Sequence, residues 1–380
     1  MSFLIAVPAV ILIFVVLWDG FETVVLPRRV TRRVRLARFF FRGTWIPWST
    51  LVRRFSSGKR QENLLSFYGP FSLLMLLSFW ACMLIFGFGL LYYASGPAIK
   101  TMGNSAGFGT CLYLSGTTFF TLGLGDVVPA VAFTRFLTVA EAGMGLGFLA
   151  LVIGYLPALN QSFSRREVNI SLLDARAGSP PTAAEMVRRH SDDHGMQELR
   201  ELLHEWEFWS AEVLESHLSY PILAYFRSQH DNQSWLSALT TILDTAALVM
   251  VGLEGACQRQ GELTFAMARH AVVDLCLVFA VPPTEPEVDR LAEGDLAHLR
   301  AYLTAAGVRL REGSDADQKL RELRRMYEPY IYALSKRLLL VLPPWISESA
   351  RKDNWETSVW EPEKGSKRNN LSRRVVDKHF

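Results

Sequence analysis

One short stretch of the sequence combines the residue types that bind a dehydrated cation. Residues 121–126 read Thr-Leu-Gly-Leu-Gly-Asp and directly follow an apolar segment, 109–120, that is too short to cross a membrane. Glycine adopts positive φ without a steric cost, so glycine at every second position lets successive backbone carbonyls point in one direction. Four copies around an axis would form stacked rings of carbonyl oxygens, which replace the water shell of a cation. The stretch therefore predicts an ion path lined by backbone.

Three longer apolar segments can hold this stretch in a membrane. They lie at 1–26, 69–94 and 133–159, and each reaches the roughly 20 residues that span a bilayer. From Asn63 to Ser164 only four residues are charged, which excludes a soluble domain because a soluble surface needs charged side chains. Irregular backbone at membrane depth is tolerated only where it is buried in protein or lines a cavity. The second and third segments therefore predict walls around the cation-binding stretch.

The distribution of charge predicts the orientation. Residues 1–160 hold 13 Lys and Arg against 5 Asp and Glu, whereas residues 161–380 hold 27 against 32. Most of the positive excess lies in the loop 27–62, with 11 basic residues and one acid. The positive-inside rule makes this loop cytoplasmic, with the N-terminus outside and the residues after 160 in the cytoplasm. We therefore expect a multi-pass protein of the cell membrane, and the basic excess indicates topology and no nucleic-acid partner.

Residues 161–380 have the apolar periodicity of helices. Helices are predicted at 192–227, 235–256, 262–281, 287–306 and 317–342. The segment 235–253 is apolar enough to raise the question of membrane contact, but it contains Asp244, which favours a buried helix of a soluble domain. This half has no phosphate-binding glycine loop, dinucleotide fingerprint or zinc-type cysteine pair. An enzyme and a cofactor are therefore not expected, and the domain is predicted to act in assembly or gating, with an unidentified cytoplasmic ligand as one option.

The predicted fold class is an all-α membrane protein with three transmembrane helices and a re-entrant pore helix per subunit, a cytoplasmic helical domain and a tetrameric pore. Its parts are an N-terminal transmembrane helix (1–26), a basic cytoplasmic or interfacial linker (27–62), a pore module (63–160), a linker (161–181), a helical domain (182–345) and a mobile tail (346–380). The pore module comprises an outer helix (69–94), a pore helix (109–120), a filter (121–126) and an inner helix (133–159). Within the basic linker, 30–42 predicts either a helix that contacts anionic membrane lipid or a loop that only sets topology.

Residues 118–126, Thr-Phe-Phe-Thr-Leu-Gly-Leu-Gly-Asp, resemble the T-x-x-T-x-G-Y-G-D pattern of the potassium-channel pore family. The resemblance covers roughly 69–160 and includes the order helix, pore loop, helix. It implies a homotetramer in which K⁺ binds in a filter made of Thr121, Leu122, Gly123, Leu124 and Gly125. The ligands would be the carbonyls of the first four residues and the Thr121 hydroxyl, with Asp126 at the outer mouth.

One residue departs from the family pattern. Leu124 replaces the usual tyrosine, as in the second pore loop of some two-pore-domain potassium channels, which read T-I-G-L-G-D. Leucine cannot form the phenol hydrogen bond that braces the filter from behind. We therefore expect weaker selectivity for potassium over sodium than the family norm.

Residues outside the filter are assigned supporting roles. Filter support is predicted for Thr117, Thr118 and Glu141, the last as a brace to Thr117 or Tyr113. Gly145 is a candidate gating hinge or, alternatively, a close-packing residue. Close packing is favoured for Gly143, and the inner pore is predicted to be lined by Leu149 and Ile153.

The leading functional hypothesis is a passive potassium or weakly selective monovalent cation channel without catalytic residues. The alternative is a non-conducting membrane receptor or scaffold whose helical domain binds a partner. Ion flux through liposomes distinguishes the two.

Overall fold

The computed structural model describes residues 2–26, 36–96, 99–101, 107–192, 194–229 and 233–347, together with positions 353 and 356. The chain forms two compact units, Met1–Gln161 and Ser162–Phe380. The predicted mobile tail lies almost wholly outside the described residues, as does the first part of the candidate lipid-contacting segment.

The first unit is built from long apolar helices. Its elements are α1 (Ser2–Gly20) with a π-type turn (Phe21–Val25), α2 (Leu36–Phe55), α3 (Lys59–Ser66), α4 (Tyr68–Ala94), β1 (Ile99–Thr101), α5 (Phe108–Phe119), β2 (Val127–Pro129) and α6 (Ala132–Ala177). α4 and α5 lie within one residue of the bounds predicted from sequence for the outer helix and the pore helix. The all-α prediction misses one detail, because β1 and β2 pair antiparallel with Ile99 opposite Pro129. This ribbon anchors the chain that follows the candidate filter.

A buried carboxylate joins three helices of the first unit. Asp19 on α1 accepts hydrogen bonds from the Trp80 indole of α4 at 3.1 Å and from the Ala37 amide of α2 at 3.0 Å. Burying a charged group is costly unless it is hydrogen-bonded, so these donors explain how the residue is accommodated. Trp45 of α2 packs against Tyr68 of α4, with ring centroids 4.7 Å apart. The basic linker is therefore helical and packed where it is described.

The inner helix is longer than predicted. It was expected to end at 159 and to be followed by a linker over 161–181, but α6 continues to Ala177, and the boundary between the two units falls inside it. The composition changes from apolar to charged after Ser164, and that change indicated an end. A helix ends where its backbone hydrogen bonds are interrupted, and glycine and proline first cluster at 178–181. The polarity change therefore marks a new environment within one helix.

The second unit is helical. Its elements are α7 (Ala183–Arg189), α8 (Gly195–Ser219), a 3₁₀ turn (Pro221–Tyr225), α9 (Trp235–Gly252), α10 (Gln258–Phe279), α11 (Glu293–Ala305), α12 (Ser314–Arg325) and α13 (Glu328–Leu338). The helix predicted at 317–342 is two helices, because Pro329 in the first turn of α13 lacks the amide that would continue the ladder. α9 packs against α8 and α10, and every residue from Trp235 to Val249 is buried.

Four helical segments of the described residues are long and apolar enough to cross a membrane. They are Phe3–Val25, Lys59–Ala94, Ala132–Ala177 and Trp235–Gly252. The last is α9, whose apolar surface is covered by the second unit itself. Its Asp244 carboxylate is satisfied there by Arg290 at 2.6 Å and by the Tyr327 hydroxyl at 2.5 Å. These contacts favour the predicted buried helix and leave three segments with exposed apolar surface.

Candidate functional site

The backbone of residues 121–125, which we call the filter, alternates in the sign of φ. The angle is +56° at Thr121, +53° at Gly123 and +80° at Gly125, and the two leucines between them are not in the positive region. The alternation that the glycine spacing predicted is therefore present. Alternating signs of φ turn neighbouring peptide planes so that their carbonyls can lie on one side of the strand.

Hydrogen bonds to the end of α5 define that side. The amides of Leu122 and Gly123 donate to the carbonyl of Thr117 at 2.7 and 3.3 Å, and the amide of Thr121 donates to the carbonyl of Thr118 at 3.0 Å. In a trans peptide the N–H and C=O point in opposite directions. The carbonyls of residues 120, 121 and 122 are therefore directed away from α5. A row of parallel carbonyls that faces away from its scaffold is a ligand set for a dehydrated cation.

Thr117 and Thr118 support the filter through their carbonyls. The side chain of Thr117 turns back and donates to the carbonyl of Leu114 at 3.0 Å. The last carbonyls of a helix lack amide partners within the helix and carry its negative dipole end. The filter amides satisfy these carbonyls, which couples the end of α5 to the filter.

The positive φ of Thr121 is a feature that sequence reasoning missed. A β-branched residue in this region is an outlier, and such strain costs about 1–3 kcal/mol. The glycine pattern predicts positive φ only at positions 123 and 125. The signal that could have indicated it is spacing, because Thr121 stands two residues before Gly123, just as Gly123 stands two before Gly125.

Glu141 braces α5, but through residues other than those expected. Its side chain is fully buried, and its Oε2 accepts a hydrogen bond from the Tyr92 hydroxyl of α4 at 2.7 Å. Its Oε1 forms a very short hydrogen bond with the Ser115 hydroxyl of α5. The partners suggested from sequence, Thr117 and Tyr113, are therefore wrong. The carboxyl group of α6 connects the pore helix to the outer helix behind the filter.

Tyr113 has a different partner. Its hydroxyl, on the exposed side of α5, lies close enough to the carboxylate of Asp126 to interact with it electrostatically. Asp126 directly follows the filter, and β2 begins at the next residue. The start of the filter is hydrogen-bonded to the end of α5 at Thr117, and the carboxylate that follows the filter lies near Tyr113 of the same helix.

Gly145 is the point at which α6 touches the pore helix. A Cβ atom added there would lie 2.0 Å from the carbonyl oxygen of Phe119. At Gly143 an added Cβ meets nothing within 4 Å among the described residues, so its predicted packing role stays a prediction. The close-packing alternative thus describes Gly145, and its role as a hinge stays a prediction.

Several apolar side chains of the filter and of α6 are not covered by the described residues. Leu122 and Leu124 of the filter are 62% and 65% exposed, and Leu149 and Ile153 of α6 are 54% and 63% exposed. Apolar side chains with this exposure next to an irregular strand need either lipid or further protein to cover them. Pore lining by Leu149 and Ile153 stays a prediction.

Buried charged side chains of the second unit are hydrogen-bonded. Arg166 donates to the carbonyls of Leu223 and Phe226 at 2.9 and 2.8 Å, and it lies 3.4 Å from Nε2 of His217. Burial, together with the charge of Arg166, lowers the pKa of His217 to about 3. Among the described residues, no group of three His, Cys, Asp or Glu side chains is arranged to hold a metal ion.

Comparisons with known proteins agree with this description. Residues 80–161 match a family model described as ion channel. The uncharacterized membrane protein YdjJ of Bacillus subtilis (strain 168) is 24% identical over 252 residues, which cover 62% of this chain and 71% of the relative. No solved structure shows a significant match. The region that matches the family model runs from within α4 through the filter into α6. The part of the chain that holds the filter is therefore similar to an ion-channel domain, and the chain as a whole is similar to a membrane protein.

Proposed function

We propose that the chain is one subunit of a homotetrameric channel that conducts potassium, or monovalent cations with weak selectivity, passively through residues 121–125. The observation that carries the proposal is the alternating φ of the filter, with the amides of residues 121–123 bonded to α5 and the carbonyls of residues 120–122 directed away from α5. Such carbonyls can replace the hydration shell of a cation without any catalytic group. The similarity of residues 80–161 to ion channels supports the same class of function.

The exposed filter of one protomer supports closure of the ion path by further copies of the chain. One filter strand cannot surround an ion, and its leucines are exposed. Irregular backbone at membrane depth must be enclosed by protein. Rotation of identical chains about one axis covers equivalent surfaces and places identical carbonyls in rings. Four-fold symmetry is the closure that the resemblance to potassium channels implies.

The second unit is proposed to lie in the cytoplasm and to act in assembly or gating. The basic loop 27–62 favours this orientation. Residues 161–380 carry a net charge of −5, so four copies would bring about −20 near the inner mouth and raise the local concentration of cations. A non-conducting receptor or scaffold is the second candidate, because the second unit is large and compact enough to bind a partner.

The decisive experiment compares two glycine substitutions in the full-length protein reconstituted in liposomes. Gly123→Ala places a Cβ at a filter residue with φ of +53°, and Gly58→Ala does the same at φ of +60° in the turn between α2 and α3. Neither glycine has an atom within 4 Å of an added Cβ, so each substitution places a Cβ at positive φ without a clash, one inside the filter and one outside it. We expect potassium flux from wild type and Gly58→Ala, and loss of flux from Gly123→Ala with assembly unchanged.

The proposal fails if wild-type tetramers carry no potassium flux over a range of pH and ligand conditions. It also fails if Gly123→Ala conducts as well as Gly58→Ala, because the ion path would then lie elsewhere. Particle images showing four chains around one axis are expected, and any other symmetry would contradict the tetramer.

A further inference from the structure

The hydroxyl of Ser115 lies between two oxygen atoms. Its Oγ is 2.8 Å from the carbonyl oxygen of Ile85 and also contacts Oε1 of Glu141. A hydroxyl carries one proton, and a carbonyl or carboxylate oxygen can only accept. If Glu141 were ionised, one of these two close contacts would have no proton between its oxygens. In a buried site two facing lone pairs without a proton are unfavourable.

The other oxygen of the carboxyl group has a similar environment. The Tyr92 hydroxyl lies 2.7 Å from Oε2 of Glu141 and 3.1 Å from Oγ1 of Thr138. The proton of Thr138 is used on the carbonyl of Thr134, at 2.8 Å. Tyr92 therefore has one proton for two contacts, and the shorter contact is with Glu141.

We infer that Glu141 is a neutral carboxylic acid that donates its proton from Oε1 to the Ser115 hydroxyl. Ser115 then donates to Ile85, Tyr92 donates to Oε2, and the longest contact, between Tyr92 and Thr138, is the one left without a proton. With an ionised carboxylate, two contacts would lack protons, and one of them would be a close one. The fully buried position agrees, since an ionised carboxylate inside a membrane is costly unless it has a charged partner.

The protonation state follows from the contacts alone, and its consequence for conduction rests on the proposed function. A neutral acid ties α5 to α4 and α6 without placing a negative charge behind the filter. Glu141 is then a positioning residue, because it acts on the filter only through Ser115 and α5. Attraction of cations at the filter would come from the carbonyls and from Asp126, and Glu141 would contribute none.

Infrared spectroscopy of the full-length purified protein at neutral pH tests the inference directly. The difference spectrum of wild type minus Glu141→Gln should contain the carbonyl stretch of a protonated carboxylic acid, above the amide I band. The matched control is Glu198→Gln, at an exposed glutamate of α8, which should remove only carboxylate bands. Loss of carboxylate bands alone in the Glu141→Gln difference would overturn the inference.

A second variant keeps the test valid if Glu141→Gln folds poorly. Ser115→Ala removes the acceptor of the acid proton and leaves Glu141 in place, so the acid band should remain and move to higher frequency. An absent or unmoved band would contradict the inference. Neither readout depends on ion flux, so failure here and failure of the channel proposal are distinguishable.

Discussion

Gly145→Ala is the substitution that most directly tests how α6 positions the filter. The added Cβ would lie 2.0 Å from the carbonyl oxygen of Phe119, 2.8 Å from its carbonyl carbon and 3.1 Å from its Cα. Real Cβ contacts essentially never fall below 3.0 Å, so α5 and α6 must separate by at least about 1 Å. The obstacle is backbone, and therefore rotation of a side chain cannot relieve it.

Gly143→Ala is the control on the same helix, because its added Cβ meets nothing within 4 Å. Both substitutions gain the same helix propensity, about 1 kcal/mol. The difference between the two variants is then the cost of overpacking, about 1–3 kcal/mol. We expect Gly145→Ala to be less stable than Gly143→Ala by that amount, measured by unfolding of the purified full-length protein under matched conditions.

The same displacement of α5 is expected to change the geometry of the filter. Phe119 stands two residues before the filter, and the filter amides bond to the carbonyls of Thr117 and Thr118. In enzyme sites a 1 Å displacement of a fixed geometry costs on the order of 10²-fold in rate. We expect potassium flux of Gly145→Ala to fall at least about tenfold below that of Gly143→Ala. If the two variants unfold alike and conduct alike, the close contact does not position the pore helix, and the reasoning fails.

Three further outcomes are expected. The folded pKa of His217, about 3, lies below the value of about 6.5 in the unfolded chain, so the unfolded state binds the proton first. Stability should therefore fall as pH drops from about 6.5 towards 3, by up to about 1.4 kcal/mol per unit more in wild type than in His217→Gln, in denaturant titrations of the full-length protein. Arg290→Met leaves the buried Asp244 without its cation and should cost about 3–5 kcal/mol, whereas Arg259→Met at an exposed ion pair should cost less than about 1 kcal/mol in the same assay. Leu124→Tyr should raise the potassium-to-sodium permeability ratio in bi-ionic recordings, and an unchanged ratio would contradict the expectation of a weakened filter.

The helices α1, α4, α5 and the first part of α6 could be predicted because each depends on local sequence, whereas β1, β2 and α3 were not predicted. Spanning length and the absence of charge place α4 and α6, and the filter glycines predict the alternation of φ. The end of α6 could not be predicted in this way. Its residues after Gln161 are polar on one side and buried on the other, with Arg166 and Ile170 on the buried side. The end of α6 could not be predicted because this two-sided pattern depends on contacts within the second unit.

The hydrogen-bond partners of Glu141 could not be predicted from the sequence for a different reason. Which hydroxyl reaches the carboxyl group depends on the relative rotation of three helices, and a rotation of one residue replaces Ser115 by a neighbour. Thr117 was a reasonable candidate because it is also buried and polar. Its side chain, however, is used within its own helix. The packing of the helices therefore determines that Ser115, and not Thr117, contacts Glu141.

Thr121 is the position at which sequence rules and structure disagree most, and the disagreement is informative. A positive φ selects glycine, and the filter uses glycine at 123 and 125. Threonine at position 121 has a backbone strain of about 1–3 kcal/mol that glycine would not have. Local rules are expected to fail where a side chain is needed for function. The group that glycine lacks is the hydroxyl, and Thr121 is the first residue of the filter after the C-terminal end of α5, whose negative dipole end favours a cation. The strained threonine therefore supports the proposed role of the Thr121 hydroxyl as an ion ligand.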